Sequence, residues 1–105
     1  MPESRRDDET PEMRRLRRRI DALDRRIVAM LNERASLGRD VGQAKVAAGR
    51  RAVRDAERER EVLLRVTMAN AGPLPQADLL AIYRRLIAAT RALEASDRKR
   101  ESRRD

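Results

Sequence analysis

Cysteine and histidine are both absent from this sequence of 105 residues, and its single aromatic residue is Tyr83. The absence of cysteine and histidine excludes disulfides, thiolate nucleophiles, most zinc sites and the usual general base. A surface on which nucleic-acid bases could stack would need aromatic side chains that the chain lacks. Any catalysis must therefore use other groups.

Long apolar runs are also missing. No stretch approaches the roughly 18 apolar residues of a membrane span, and the N-terminus lacks the apolar run of a signal peptide. We therefore expect a cytoplasmic protein. Both ends are almost free of apolar side chains, so residues 1–10 and 97–105 are predicted to be disordered charged tails around one domain at 11–96.

Positive charge is what the chain has in excess. It carries 26 basic residues against 18 acidic ones, a net charge of +8, and all but two of the basic residues are arginine. The basic C-terminal end would attract polyanions only weakly and in a salt-dependent way. Nucleic acid is thus a disfavoured partner, although a helical interaction protein with an arginine-rich binding surface stays open as an alternative.

The N-terminal half predicts one long helix. Thr10, Pro11 and Glu12 are typical of a helix start: an N-cap, a first-turn proline and an acid near the positive end of the dipole. Positions at alternating spacings of four and three then carry apolar residues, except position 34, which is arginine: Leu16, Ile20, Leu23, Ile27, Met30, Leu37, Val41 and Ala44. The resulting helix of about 35 residues would be roughly 50 Å long, too long for one copy of the chain to cover.

Two shorter helices follow, separated by a turn around Gly49 and by the breaker Gly72-Pro73-Leu74-Pro75. The first is expected from about Val53 to Ala71, and the second from about Pro75 to Ala95. Their predicted inward residues are Val62, Leu63 and Val66, then Leu79, Ile82, Tyr83, Leu86, Ile87 and Leu93. No segment alternates with period two, so we predict an all-α, three-helix chain whose long helix pairs with its copy in an intertwined homodimer.

Polar residues interrupt the apolar stripes of all three helices. Arg34 occupies a stripe position of the long helix, and Lys45 lies about 20° from it around the helix axis. Gly38 and Gly42 lie between them on that face and leave room for another group, although each costs a helix about 1 kcal/mol relative to alanine.

The other two helices carry polar groups in the same way: Asp55 and Glu59, with Arg58 beside them, and then Thr90 and Glu94. Each alone has an ordinary explanation, as a register-fixing residue or a surface network. Together they would be costly to bury without partners, and the cations have donors to spare, so a small anionic ligand is predicted. Arg17 lies roughly 25 Å along the helix from Arg34, so it would reach such a pocket only in a partner subunit.

These residues belong to runs with a familiar pattern. The segments LRRRIDALDRRIVAMLNERASLGRDVGQAK, VRDAEREREVL and LLAIYRRLIAATRALE resemble the all-helical (AroQ-class) chorismate mutase family over about 80 of the 105 residues. The resemblance implies an intertwined dimer of three-helix chains, with two equivalent sites that each draw one arginine from the other subunit. It implies no cofactor and no metal.

The resemblance also implies a role for each candidate site residue. Arg17 would be the arginine donated across the dimer, and Arg34 and Arg58 would complete the grip on the two carboxylates of the substrate. Lys45 would hydrogen-bond the ether oxygen whose bond breaks. The ring hydroxyl would be held by Glu59 and by the backbone near Asp55, and a carboxylate by Thr90.

Glu94 departs from the glutamine that often stands opposite the lysine in this family. An ionised Glu94 would repel the charge that develops on the ether oxygen, whereas a protonated one would donate a hydrogen bond to it. We therefore predict better turnover in mildly acidic buffer.

The predicted reaction, chorismate to prephenate, is a rearrangement of one substrate that needs no histidine, cysteine or metal. Two related activities stay open: pyruvate release from isochorismate, and the mutase reaction of 4-amino-4-deoxychorismate. Docking onto another enzyme of aromatic biosynthesis is a further expectation.

Overall fold

The computed structural model describes residues 8–50 and 55–104. In these ranges it contains three helices and no strand: α1, Pro11–Ala47; α2, Ala56–Ala69; and α3, Gln76–Arg104. The prediction of an all-α chain with one long N-terminal helix is thus confirmed. None of the described helices combines the length and the apolar character needed to cross a membrane.

The start of α1 agrees with the sequence signals. Pro11 is the first helical residue, and the side chain of Thr10 accepts a hydrogen bond of 3.1 Å from the backbone N–H of Met13. This bond satisfies one of the N–H groups that a helix start leaves without an intrahelical partner. The helix ends before Gly49, whose φ of 81° lies in the left-handed region that glycine tolerates.

The chain divides into two compact units, residues 1–34 and 35–105. In the first unit, α1 presents five apolar residues at the predicted spacing: Leu16, Ile20, Leu23, Ile27 and Met30. Their side chains are between 42% and 55% exposed. This apolar stripe therefore faces solvent in the single chain.

The second unit combines the remainder of α1 with α2 and α3. The residues predicted to face inward are half-buried: Val62, Leu63 and Val66 on α2, and Leu79, Tyr83, Leu86, Ile87 and Leu93 on α3. Ile82, also predicted to face inward, is 48% exposed. The buried face of α3 in the single chain is therefore narrower than the face predicted from its apolar residues, because it does not include Ile82.

Helix α3 continues to Arg104 rather than ending at about Ala95, the predicted end. Nothing between these positions is glycine or proline, so no residue interrupts the helix. Asp97, in the extension, accepts two hydrogen bonds from Arg39 of α1, of 2.8 Å from Nε and 3.1 Å from Nη2. This two-pronged pair ties the end of α3 to α1. For α2, the predicted start at Val53 lies outside the described residues.

Candidate active site

Glu94 and Gly42 are the most buried residues among those the structure describes, and they lie against each other. A methyl group built at Gly42 would lie 3.1 Å from Cγ and 3.2 Å from Cδ of Glu94. One turn earlier, a methyl group at Gly38 would overlap the Cγ2 methyl of Thr90. The two glycines therefore let α3 approach α1 at the level of Thr90 and Glu94, which is the room that the sequence predicted.

The buried position of Glu94 changes its acidity. Burial raises the pKa of Glu94, the positive charges of Lys45 and Arg98 partly oppose this rise, and the charge of Asp97 adds to it. Its Oε2 atom is buried and makes no hydrogen bond within the described structure. The carboxyl group thus keeps its proton to a higher pH than an ordinary glutamate. Its Oε2 atom is available to hydrogen-bond a ligand.

Asp55 caps the start of α2. Its side chain accepts a hydrogen bond of 3.0 Å from the backbone N–H of Arg58, with Asp55 itself in an extended conformation. This hydrogen bond lowers the pKa of Asp55, partial burial opposes the effect, and the charges of Lys45, Arg50 and Arg58 lower it further. Asp55 is therefore held as a carboxylate.

Lys45 connects these two acids. It lies half-buried in the last turn of α1, and its charge acts on both Asp55 and Glu94. The structure thus brings together one cation from α1, one carboxylate from the N-cap of α2 and one acid with a raised pKa from α3. Lys45 and a protonated Glu94 can donate hydrogen bonds to an oxygen atom that gains negative charge.

Thr90 and Arg58 lie at the edges of this group. The hydroxyl of Thr90 donates a hydrogen bond of 3.0 Å to the backbone oxygen of Leu86. It would have to turn away from Leu86 to donate to a carboxylate, because a carboxylate only accepts hydrogen bonds. The side chain of Arg58 is 55% exposed and donates a hydrogen bond of 2.9 Å to Glu61. An exposed pair of this kind contributes little to stability, so it would release Arg58 easily to a carboxylate ligand.

Glu59 lines a cavity of about 300 Å³ between α2 and α3. The other lining residues are Ala56, Arg60, Leu63, Arg84, Ile87 and Arg91. Within this cavity wall, Arg91 Nε lies 3.1 Å from Glu59 Oε1. A cavity of this size suits a small molecule, and its lining carries three arginines and one glutamate, a net positive charge.

Arg17 and Arg34, the other two predicted site residues, belong to the N-terminal unit. Arg17 is 63% exposed, and its Nε lies 2.7 Å from Glu9 Oε1. Arg34 is half-buried near the end of that unit. Their proposed places in a binding site stay predictions.

Sequence reasoning missed two pairs of charged residues in the second unit: Arg91 with Glu59, and Arg39 with Asp97. Arg91 lies three positions before Glu94, on the helix face that was already assigned to the site. That spacing could have suggested Arg91 as a candidate. With charged residues making up 42% of the chain, however, nothing in the sequence selects which acid each arginine contacts.

Comparisons with known proteins assign most of the chain to one family. The family described as chorismate mutase type II matches residues 16–95. The chain is 38% identical over 87 residues to a bifunctional chorismate mutase/prephenate dehydratase of Aquifex aeolicus (strain VF5), covering 79% of this chain and 24% of that protein. A protein of the same name from Stutzerimonas stutzeri is 33% identical over 90 residues, covering 82% of this chain and 25% of the relative. The chain thus spans about a quarter of the length of these relatives.

A solved structure has a similar fold. Chorismate mutase (form II) from Thermus thermophilus superposes with a TM-score of 0.75 and 28% sequence identity. The match covers 80% of this chain and 94% of that one.

Proposed function

We propose that this chain, which belongs to the chorismate mutase type II family, catalyses the rearrangement of chorismate to prephenate. The observation that carries the proposal is the position of Glu94, buried against Gly42 and within the electrostatic influence of Lys45. These are the positions that the family resemblance assigns to the two sides of the ether oxygen. A chain that merely needed a packed helix contact would gain nothing from a buried acid there.

The reaction breaks the ether C–O bond of chorismate while a new C–C bond forms, without a covalent enzyme intermediate. The work left to the protein is to hold the substrate in a compact reactive conformation and to stabilise the charge on the departing oxygen. In our proposal Lys45 and a protonated Glu94 donate to that oxygen. The charge of Lys45 already acts on Glu94 in this structure, which supports the proposal of a preorganised pair of donors.

Arginines would bind the two carboxylates of the substrate. Arg34 and Arg58 of one subunit, with Arg17 of the partner copy, would bind them in forked geometry and fix their orientation. Thr90 would add a hydroxyl contact. The ring hydroxyl would be held by Glu59 and by the backbone near Asp55, at the start of α2.

The exposed stripe of the N-terminal unit supports the homodimer on which this arrangement depends. Five large apolar side chains at helical spacing are about half exposed there, and none of the described apolar residues in the chain is fully buried. A second copy packed along α1 would cover the stripe, and the alternating spacing of four and three residues suits such pairing. Docking onto another enzyme of aromatic biosynthesis stays a further prediction.

The test is loss of the ultraviolet absorbance of chorismate in the presence of the purified protein. Isochorismate and 4-amino-4-deoxychorismate should be assayed in parallel, with the product of each reaction identified. We expect chorismate to be consumed fastest, with prephenate as the product. Faster turnover of either other substrate, or no turnover of any, would overturn the proposal.

A further inference from the structure

One ion pair joins α2 to α3 inside the cavity wall. Arg91 Nε of α3 lies 3.1 Å from Glu59 Oε1 of α2, and the two side chains are only 32% and 17% exposed. Both side chains of this ion pair are largely shielded from solvent, whereas the ion pairs that Glu61 of α2 forms are solvent-exposed. The shielding makes the contact between Arg91 and Glu59 electrostatically stronger than a surface pair.

The pair changes what the carboxylate of Glu59 can bind. A carboxylate beside a guanidinium still accepts a hydrogen bond, because each carboxylate oxygen has more than one lone pair. Its attraction for a cation is much reduced, because the neighbouring positive charge repels that cation. Arg60 and Arg84 line the same cavity, so three arginines there face a single glutamate. The cavity therefore suits a ligand that presents a neutral hydroxyl, and it disfavours one that presents an ammonium group.

We propose that Arg91 is a positioning residue that holds Glu59 and makes the site select a hydroxyl-bearing substrate over its ammonium-bearing analogue. The inference rests on the proposed function, because it takes Glu59 as the group that meets the ring substituent. It adds a residue that the resemblance did not assign. Arg91 acts through Glu59 and need not touch the substrate.

The experiment compares kcat/KM for chorismate and for 4-amino-4-deoxychorismate in the parent protein and in Arg91→Gln. Removing the guanidinium should raise the ratio of amine to hydroxyl turnover by about tenfold or more, the effect expected of one charge a few ångströms away in partly screened surroundings. The rise in KM for chorismate should exceed the fall in kcat, because Arg91 holds a binding group. Arg91→Lys, which keeps the charge, should restore most of the parental ratio.

Two controls separate selectivity from a general loss of structure. Arg85→Gln removes the same charge from an exposed position on α3 outside the cavity and should leave the ratio unchanged. Glu59→Gln removes the group through which Arg91 acts, so adding Arg91→Gln to it should change the ratio by much less than in the parent. The melting temperature of each variant establishes that the proteins compared are folded.

The outcomes distinguish the two proposals. Chorismate turnover by the parent protein supports the proposed function whatever the variants do. If Arg91→Gln folds and keeps the parental ratio, or if Arg91→Gln and Arg85→Gln raise it equally, Arg91 does not select the substrate. If the parent turns over neither compound, the proposed function fails and the selectivity inference fails with it.

Discussion

Gly42 of α1 and Glu94 of α3 are in direct contact, so closely that a methyl group on Gly42 would lie 3.1 to 3.3 Å from three atoms of the Glu94 side chain. Glycine in a helix interior costs stability relative to alanine, and at position 42 its lack of a side chain is what lets Glu94 pack against α1. The same holds for Gly38 and Thr90. The backbone of α1 therefore forms one wall of the candidate site.

Alanine at these glycines should separate packing from function. Gly42→Ala should gain about 1 kcal/mol in helix propensity and lose a similar amount by crowding Glu94, so stability changes little while activity falls. Gly38→Ala should be less stable by about 1 to 3 kcal/mol, because the new methyl overlaps that of Thr90. Urea unfolding and turnover measure the two effects.

A second substitution provides the control for Gly38. Thr90→Ser removes the overlapping methyl group and keeps the hydroxyl, so Gly38→Ala with Thr90→Ser should recover most of the lost stability. No recovery would mean that the contact between Gly38 and Thr90 is not what limits the approach of the two helices.

Glu94 should give the protein a particular dependence on pH. Because the fold raises the pKa of Glu94, the native state keeps a proton that the unfolded chain releases near the ordinary value of 4.5. Its contribution to stability is therefore complete below that value and is lost as the pH rises through the raised pKa. Turnover should fall over the same range, since the protonated acid is the hydrogen-bond donor.

Glu94→Gln stays uncharged at every pH and tests both effects. The variant should be more stable than the parent at neutral pH, and its activity should vary less between mildly acidic and neutral buffer. Activity profiles and melting temperatures over this range measure the difference. Identical profiles for the two proteins would remove Glu94 from the chemistry.

Lys45 should be the most costly single residue to lose. Lys45→Ala should lower kcat by at least about a hundredfold, or roughly 3 kcal/mol of transition-state stabilisation, as for other preorganised donors. It should also raise the pKa of Glu94 further, because a neighbouring positive charge has gone. Lys99, the other lysine in the chain, is exposed on α3 and provides the matched control. Equal losses for Lys99→Ala and Lys45→Ala would contradict a specific role.

Mixed dimers test whether Arg17 acts in the partner subunit. Arg17→Ala and Lys45→Ala should each be nearly inactive, but in a heterodimer both defects fall in one site and leave the other intact. After random reassortment of equal amounts, about a quarter of all sites should regain activity. Lys45→Ala mixed with Arg58→Ala should regain none, because each defect then disables a different site. Regain in both mixtures, or in neither, would argue against the donated arginine.

Much of this architecture is readable from the sequence, since helix signals are local. Thr10 and Pro11 mark the start of α1 because capping involves residues three positions apart, and Gly49 marks the turn after it. The polar interruptions at Lys45 and Glu94 were also identifiable, because helical spacing places them on the inner faces. Asp55 was expected to continue the stripe of the second helix, but it lies before the first residue of α2 as its N-cap.

What the sequence could not supply was the pairing of charges between helices. The contacts of Arg91 with Glu59 and of Arg39 with Asp97 depend on how far one helix is shifted along another. Arginine is so frequent in this chain that several registers would offer each acid a partner. The predicted end of α3 at about Ala95 was wrong for a related reason. The last turns of α3 have no apolar stripe to reveal them in the sequence, and their contact with α1 is the hydrogen-bonded pair of Arg39 and Asp97.

That tie has a practical consequence for handling the protein. Trimming the chain after Ala95, because the last ten residues are nearly all charged, would remove Asp97 and leave Arg39 without its partner. It would also delete the charges of Asp97 and Arg98, which act in opposite directions on the pKa of Glu94. A shortened protein would thus have a changed environment around Glu94, although it would keep every residue that matches the family. Affinity tags and fusion partners belong beyond the last turn of α3, not within it.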